Sequence, residues 1–174
     1  GEQAKWNTTG RSILRSDNTT KWISSDFEVL EEKNMGDPTT VTEFIQWANR
    51  VAPAENQALF IHGHSLGLGS IITDNEVNAP LHVDELAASL EQLKTDESID
   101  LELLRMDGCL TGTLELAYEL KDSAQFTIGS EQISGAGSGT YRSHAQSLDR
   151  YPYEADARDL ASSMIEDFKI NYSQ

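Results

Sequence analysis

Basic residues are scarce in this chain of 174 residues: 13 Lys and Arg face 29 Asp and Glu, for a formal net charge of −16. Four of the basic residues (Lys5, Arg11, Arg15, Lys21) fall within residues 1–25 against two acidic ones, so the remainder carries −18. A surface this acidic repels phosphate backbones and anionic lipid headgroups, which excludes nucleic acid and membrane surfaces as expected partners. The same charge attracts basic peptides and also keeps a protein soluble. Cysteine is nearly absent, and Cys109 alone cannot form an intramolecular disulfide. Apolar runs are short: Ala58–Ile61 is far below the length that spans a bilayer. No amino-terminal stretch has the charged-then-apolar form of a signal peptide. The four histidines (His62, His64, His82, His144) and Cys109 lack metal-finger spacing, so no zinc site is expected.

What remains is ordinary globular composition, with 38% hydrophobic residues and 12 glycines, at a length that suits one domain with a single core. Residues 1–25 read as a polar arm with at most a short strand at Ser12–Arg15, and 26–174 as the folded body. Phe27–Glu31 reads as a strand. Thr40 and Glu43 form a capping box ahead of Val41, Phe44, Ile45 and Ala48, which recur at helical spacing. Ala58–Ile61 then reads as a strand buried on both faces. Residues 64–80, rich in Gly, Ser, Asn and Asp, read as a long loop. A helical stripe follows at Val83, Leu86, Ala87, Leu90 and Leu93, then a second buried strand at Leu101–Met106. Leu110, Leu114, Ala117 and Tyr118 mark a helix, Gln125–Ser130 a third strand, and Ala157, Leu160, Ala161, Met164, Ile165 and Phe168 a final helix. Strands that alternate with helices predict adjacent parallel strands, in an α/β sheet covered by helices.

In open α/β sheets, sites form beyond the carboxyl ends of strands. His62-Gly63 ends the first buried strand and Asp107-Gly108-Cys109 ends the second, so residues distant in sequence are expected at one sheet edge. A thiol beside an imidazole is the minimum apparatus for covalent acyl transfer, because the thiolate is the nucleophile and a nearby base generates it. A helix starting near Thr111 would set its positive dipole end close to Cys109 and lower the thiol's pKa. A buried, inert cysteine is the competing reading. Gly63-His64-Ser65-Leu66-Gly67 also matches the nucleophile elbow of serine hydrolases, although no helical stripe follows Ser65 as that elbow requires. A triad would then have to be drawn from Ser65, Asp107 and His144. Gly135–Gly139 reads as a flexible loop rather than a phosphate cradle. Asp74, Asn75 and Glu76 form an oxygen-rich stretch that could hold Ca2+, although such loops are more often just solvated. His82 and His144 are expected at the surface.

In this order the residues resemble the clostripain-like cysteine peptidases of the caspase-type clan. The resemblance runs through Asn34-Met-Gly-Asp-Pro38, Phe44-Ile45-x-Trp47-Ala48, His62-Gly63, Met106-Asp107-x-Cys109-Leu110, Glu115-x-Ala117-Tyr118-Glu119-Leu120, Ser130-Glu131 and Gly139-x-Tyr141, over roughly residues 33–172. It implies a three-layer αβα sandwich, caspase-like, with a mostly parallel sheet, and a Cys–His dyad that hydrolyses peptide bonds after Arg or Lys. By position Cys109 is the nucleophile and His62 the general acid/base. The backbone N–H groups of Gly63 and Cys109 would hold the oxyanion, and Asp107, Ser130 and Glu131 would contact substrate. The implied partners are peptides or proteins with basic residues. No cofactor is required, with Ca2+ left open, and secretion is favoured. The resemblance implies a further strand and helix before this part and more chain after the final helix, so the sequence is expected to be either a truncated core or a short variant. Family members are often activated by a cut between His and Cys after a basic residue; residues 63–93 hold no Lys or Arg, which leaves Lys94 or Arg105. Two alternatives stand beside the peptidase: a caspase-like binding domain without catalysis, and a serine hydrolase built on Ser65.

Overall fold

The computed structural model describes residues 8–15, 25–133 and 156–172. The chain divides into two compact units, Gly1–Asn34 and Met35–Gln174. In the first, β1 (Gly10–Ser12) pairs antiparallel with β2 (Phe27–Val29), Gly10 opposite Val29 and Ser12 opposite Phe27. Its strand begins two residues earlier than the Ser12–Arg15 expected from sequence. Phe27–Val29 therefore belongs to the amino-terminal unit. The Arg11 guanidinium grips the Glu28 carboxylate through two bonds, of 2.8 and 3.0 Å.

The second unit begins with α1 (Pro38–Val51). Its N-cap is Asp37, whose carboxylate accepts from the Thr39 N–H at 2.8 Å. Pro38 occupies the first turn, where a missing N–H costs nothing. The helix thus starts one turn before the expected Thr40–Glu43 box. Strand β3 (Ala58–His62) follows, then a short 3-10 turn at Gly67–Gly69 and a hairpin of β4 (Ile72–Asp74) and β5 (Ala79–Leu81). The stretch expected to be one loop is therefore partly paired, Ile72 opposite Leu81 and Asp74 opposite Ala79. Its turn is made by the Asp74 carboxylate, which accepts from the N–H groups of Glu76 and Val77, and by Asn78 in the left-handed region at φ 51°. Helix α2 (Val83–Glu97) ends at Ser98, also left-handed. It is followed by β6 (Leu103–Asp107), α3 (Leu114–Glu119), β7 (Phe126–Ile128) and α4 (Ala157–Tyr172).

Strands β3, β6 and β7 form one parallel sheet in that spatial order, with Leu59 opposite Leu104 and Leu104 opposite Thr127. Both faces of the sheet are buried, as the continuous apolar runs require. Leu59, Ile61, Leu104 and Met106 face a core closed by Ile45 of α1, Leu86, Leu90 and Leu93 of α2, and Leu116 and Leu120 around α3. Phe60, Leu103, Phe126 and Ile128 face α4 through Leu160, Ala161 and Met164. The result is the expected three-layer αβα sandwich. Burying each fully enclosed leucine stabilises it by roughly 1.5–3 kcal/mol. The helical stripe expected at Leu110, Leu114, Ala117 and Tyr118 is not the buried one: Leu114 and Tyr118 are exposed, whereas Leu116 and Leu120 have no exposed surface. Because α3 is six residues long, the sheet decides its phase.

Candidate active site

Pairing between β3 and β6 ends with His62 opposite Asp107. The expected site residues therefore leave the sheet at one edge, and Cys109 follows two positions later, half-buried and outside any disulfide. The Gly63 N–H reaches the Asp107 carbonyl at 3.5 Å, continuing the ladder just past both strands. The turn that carries Cys109 packs closely on the turn that follows His62. A Cβ on Gly108 would lie 2.8 Å from the Ser65 Cβ and 3.1 Å from the Gly63 carbonyl oxygen.

The rest of the nucleophile turn is tied down on its other side. Thr111 is 2% exposed, and its hydroxyl donates to the carbonyls of Met106 and Gly108 at 2.9 and 3.1 Å. The Ser130 N–H in turn reaches the Thr111 hydroxyl at 3.3 Å. Leu110, at φ 57°, donates its N–H to the Gln132 carbonyl, and Gly112 donates to the Ser130 carbonyl. A leucine in the left-handed region is strained, and the bonds on either side hold it there. Helix α3 begins at Leu114, five residues beyond Cys109, so the expected helix end beside the thiol is absent. These bonds, rather than a helix dipole, order the turn.

Asp107 meets both a histidine and an arginine at this edge. Its Oδ2 lies 3.2 Å from Nδ1 of His62 and 3.8 Å from Nη2 of Arg105. The side chains of Asp107 and Arg105 are 9% and 6% exposed, that of His62 54%. Arg105 was not singled out as a site residue from the sequence; the signal was a charged residue inside the strand run Leu103-Leu-Arg-Met-Asp107, between the apolar Leu104 and Met106. It is buried within β6, whereas Lys94, the other basic residue between His62 and Cys109, pairs with Asp100 at 3.0 Å.

Arg105, Asp107, Ile128, Ser130, Met164 and Lys169 are among the residues lining a cavity of about 360 Å³ between the β6–β7 edge and α4. The Ser130 hydroxyl donates to the Gln132 carbonyl, and Glu131 is exposed beside it.

The other candidates fall away from this edge or are occupied. Ser65 is 5% exposed; its hydroxyl donates to the Ser70 carbonyl at 2.7 Å and accepts from the Gly67 N–H at 3.1 Å. Only a three-residue 3-10 turn follows it, so Ser65 closes a loop and is not the exposed nucleophile of an elbow. Both Asp74 oxygens accept backbone N–H bonds, from Met35 on one and Glu76 and Val77 on the other. Among the described residues no three His, Cys, Asp or Glu side chains gather as metal ligands. His82 is exposed at the start of α2, its N–H bonded to Glu85. His144 and the Gly135–Gly139 loop lie outside the described residues. No described helix is long and apolar enough to cross a membrane.

Solved structures share this fold. A secreted C11 cysteine protease from Bacteroides thetaiotaomicron, in complex with an irreversible peptide inhibitor, matches with a TM-score of 0.70 and 18% identity, covering 92% of this chain and 44% of that one. An inactive zymogen C11 protease from Parabacteroides distasonis matches with a TM-score of 0.50 and 17% identity, covering 82% of this chain and 47% of that one. The chain thus spans less than half the length of these two proteins. No curated protein matches its sequence. The profile of the clostripain family matches residues 8–174, nearly the whole chain, and the chain belongs to that family of cysteine peptidases.

Proposed function

We propose that the protein is a cysteine endopeptidase that hydrolyses peptide bonds after Arg or Lys, with Cys109 as nucleophile and His62 as general acid/base. The observation that carries this reading is the register of β3 on β6, which brings His62 and the Cys109 turn to one sheet edge. His62 takes the Cys109 proton, and the sulfur attacks the scissile carbonyl carbon. The oxyanion that forms is held by the backbone N–H groups of Gly63 and Cys109. Collapse of the tetrahedral species breaks the C–N bond while His62 returns the proton to the leaving amine. Water, deprotonated by His62, then hydrolyses the thioester and restores the thiol. Gly63 suits its role, because the Asp107 carbonyl holds its N–H at the outer limit of hydrogen bonding.

The preference for a basic side chain is supported by the net charge of −16, which steers cationic peptides inward, and by the carboxylates of Asp107 and Glu131 near the cavity that Ser130 lines. The test is cleavage of a fluorogenic peptide with Arg before the cut, followed with and without iodoacetamide. Wild-type activity should vanish on alkylation and in Cys109→Ala. Turnover that survives in Cys109→Ala refutes the assignment. A wild-type protein that binds the peptide without cutting it favours the binding-domain reading.

A further inference from the structure

A tetrahedral oxyanion is best stabilised by N–H groups that are aimed before the reaction begins. We propose that Thr111 is the positioning residue of this site: its buried hydroxyl fixes the plane of the Gly108–Cys109 peptide, and with it the direction of the Cys109 N–H. The inference rests on the peptidase reading above, which assigns that N–H to the oxyanion.

Three observations carry it. The first is which carbonyl the hydroxyl takes. Thr111 Oγ1 donates to the Gly108 carbonyl at 3.1 Å, and that carbonyl shares one planar amide with the Cys109 N–H. All described peptide bonds are trans, so the C=O and N–H of this amide point in opposite directions. Thr111 is 2% exposed, and drawing the Gly108 oxygen toward its hydroxyl turns the Cys109 N–H away from the interior. A donor on the carbonyl also polarises the amide and strengthens its N–H.

The second is that the hydroxyl is itself anchored to the sheet. It also reaches the Met106 carbonyl at 2.9 Å, inside β6, and accepts from the Ser130 N–H at 3.3 Å, just past β7. The peptide plane is thus referenced to two strands rather than to its own turn. The Ser130 carbonyl, which accepts from the Gly112 N–H at 2.9 Å, ties down the residue after the threonine.

The third is the packing of Gly108. A Cβ there would lie 3.5 Å from Thr111 Cγ2 and 3.1 Å from the Gly63 carbonyl oxygen. Gly108 therefore sits between the threonine and the turn that supplies the other oxyanion donor, Gly63. A valine at position 111 would keep this packing and remove the hydroxyl.

The test compares Thr111→Val and Thr111→Ser with wild type in two reactions of Cys109. One is turnover of an Arg peptide, which passes through the oxyanion. The other is alkylation by iodoacetamide: the sulfur bonds to a saturated carbon, the C–I bond breaks, iodide leaves and the thiol proton passes to His62, with no oxyanion formed. Removing an oxyanion donor outright costs about 10²–10³-fold in kcat, so misaiming one should lower kcat by about 10- to 10²-fold in Thr111→Val, with KM little changed. Alkylation should keep its wild-type rate. Thr111→Ser keeps the hydroxyl and should recover most of kcat. Alkylation slowed by the same factor as turnover would overturn the proposal, because the nucleophile itself would then be displaced. A Ser variant as slow as the Val variant, or a Val variant as fast as wild type, would overturn it too. If Thr111→Val does not fold, Thr111→Ala, with no methyl pressed against the carbonyls, is read in the same two reactions. Amide NMR of the wild type with an Arg peptide aldehyde gives a readout independent of turnover. The sulfur adds to the aldehyde carbon, the C=O oxygen becomes the oxyanion and His62 takes the thiol proton. The Cys109 amide proton should move downfield, and an unmoved resonance overturns the inference. A wild type that cuts no Arg peptide and takes up no aldehyde removes the peptidase reading and this inference with it, whereas cutting at equal rates by wild type and both variants removes this inference alone.

Discussion

Replacing Ser65 with alanine separates a structural serine from a nucleophilic one. Alanine keeps the Cβ that packs against Gly108, so the nucleophile turn retains its support. What disappears is the hydroxyl, with its bond to the Ser70 carbonyl at 2.7 Å and from the Gly67 N–H at 3.1 Å. The Ser70 carbonyl keeps a second donor, the Leu66 N–H at 3.1 Å. The Gly67 N–H loses this acceptor in a buried turn, where Gly67 sits at φ 63°. One orphaned buried donor costs about 1–3 kcal/mol, so the variant should be destabilised by roughly that amount. For a chain of this size each kcal/mol lowers Tm by about 2–4 °C, which places the expected drop between roughly 2 and 12 °C. The assay pairs a thermal melt with kcat/KM for an Arg peptide measured well below the melting range. Near wild-type activity with a lowered Tm is the expected result. Loss of activity to background at unchanged Tm would refute this assignment and restore the serine-hydrolase reading.

Two further perturbations probe the fold around the site. In Gly129→Ala the new Cβ would lie 2.4 Å from the Thr111 carbonyl oxygen and 2.7 Å from the Gly112 nitrogen, backbone atoms that can move only by displacing the nucleophile turn. Overpacking of this kind costs typically 1–3 kcal/mol, and activity should fall even at temperatures where the variant is folded; wild-type activity and Tm would contradict the described packing. The Asp74 carboxyl is held below the usual Asp value first by the Met35 N–H, against a partial desolvation that raises it, with the Glu76 and Val77 N–H groups adding to the lowering. A depressed folded-state value stabilises the protein above the unfolded value of about 3.9, and that contribution is lost as pH falls through the lower folded value. Asp74→Asn should therefore be less stable than wild type in urea melts near pH 7, with the gap closing below about pH 4. A gap that is the same at both pH values would remove the carboxylate from the hairpin.

The elements legible in the sequence are those with long or strongly apolar signals. Val83, Leu86, Leu90 and Leu93 repeat at helical spacing, and all are buried in α2. Ala58–Ile61 reads as a buried strand because its run is apolar on both faces, and Leu101–Met106 because Leu101 and Leu103 on one face and Leu104 and Met106 on the other are apolar. The β4–β5 hairpin escaped because each strand has three residues and one contains Pro80, too short for any alternation to register. The start of α1 was misplaced because two capping patterns overlap there, and Asp37 with Pro38 outcompetes Thr40 with Glu43. In α3, six residues carry too few apolar positions to define a face.

The sequence by itself determined that a parallel sheet exists, that His62 ends one of its strands and that Cys109 follows another, because apolar runs and their ends are local properties of the chain. It also set the acidic charge, which is a matter of counting. Tertiary structure alone decided what those residues meet. Strand register places His62 opposite Asp107, the pleat places Arg105 beneath that carboxylate, and close packing against Gly108 turns Ser65 into a buried strut. The first and last of these contacts join positions more than 40 residues apart, and no local pattern encodes which face or which partner a side chain will find.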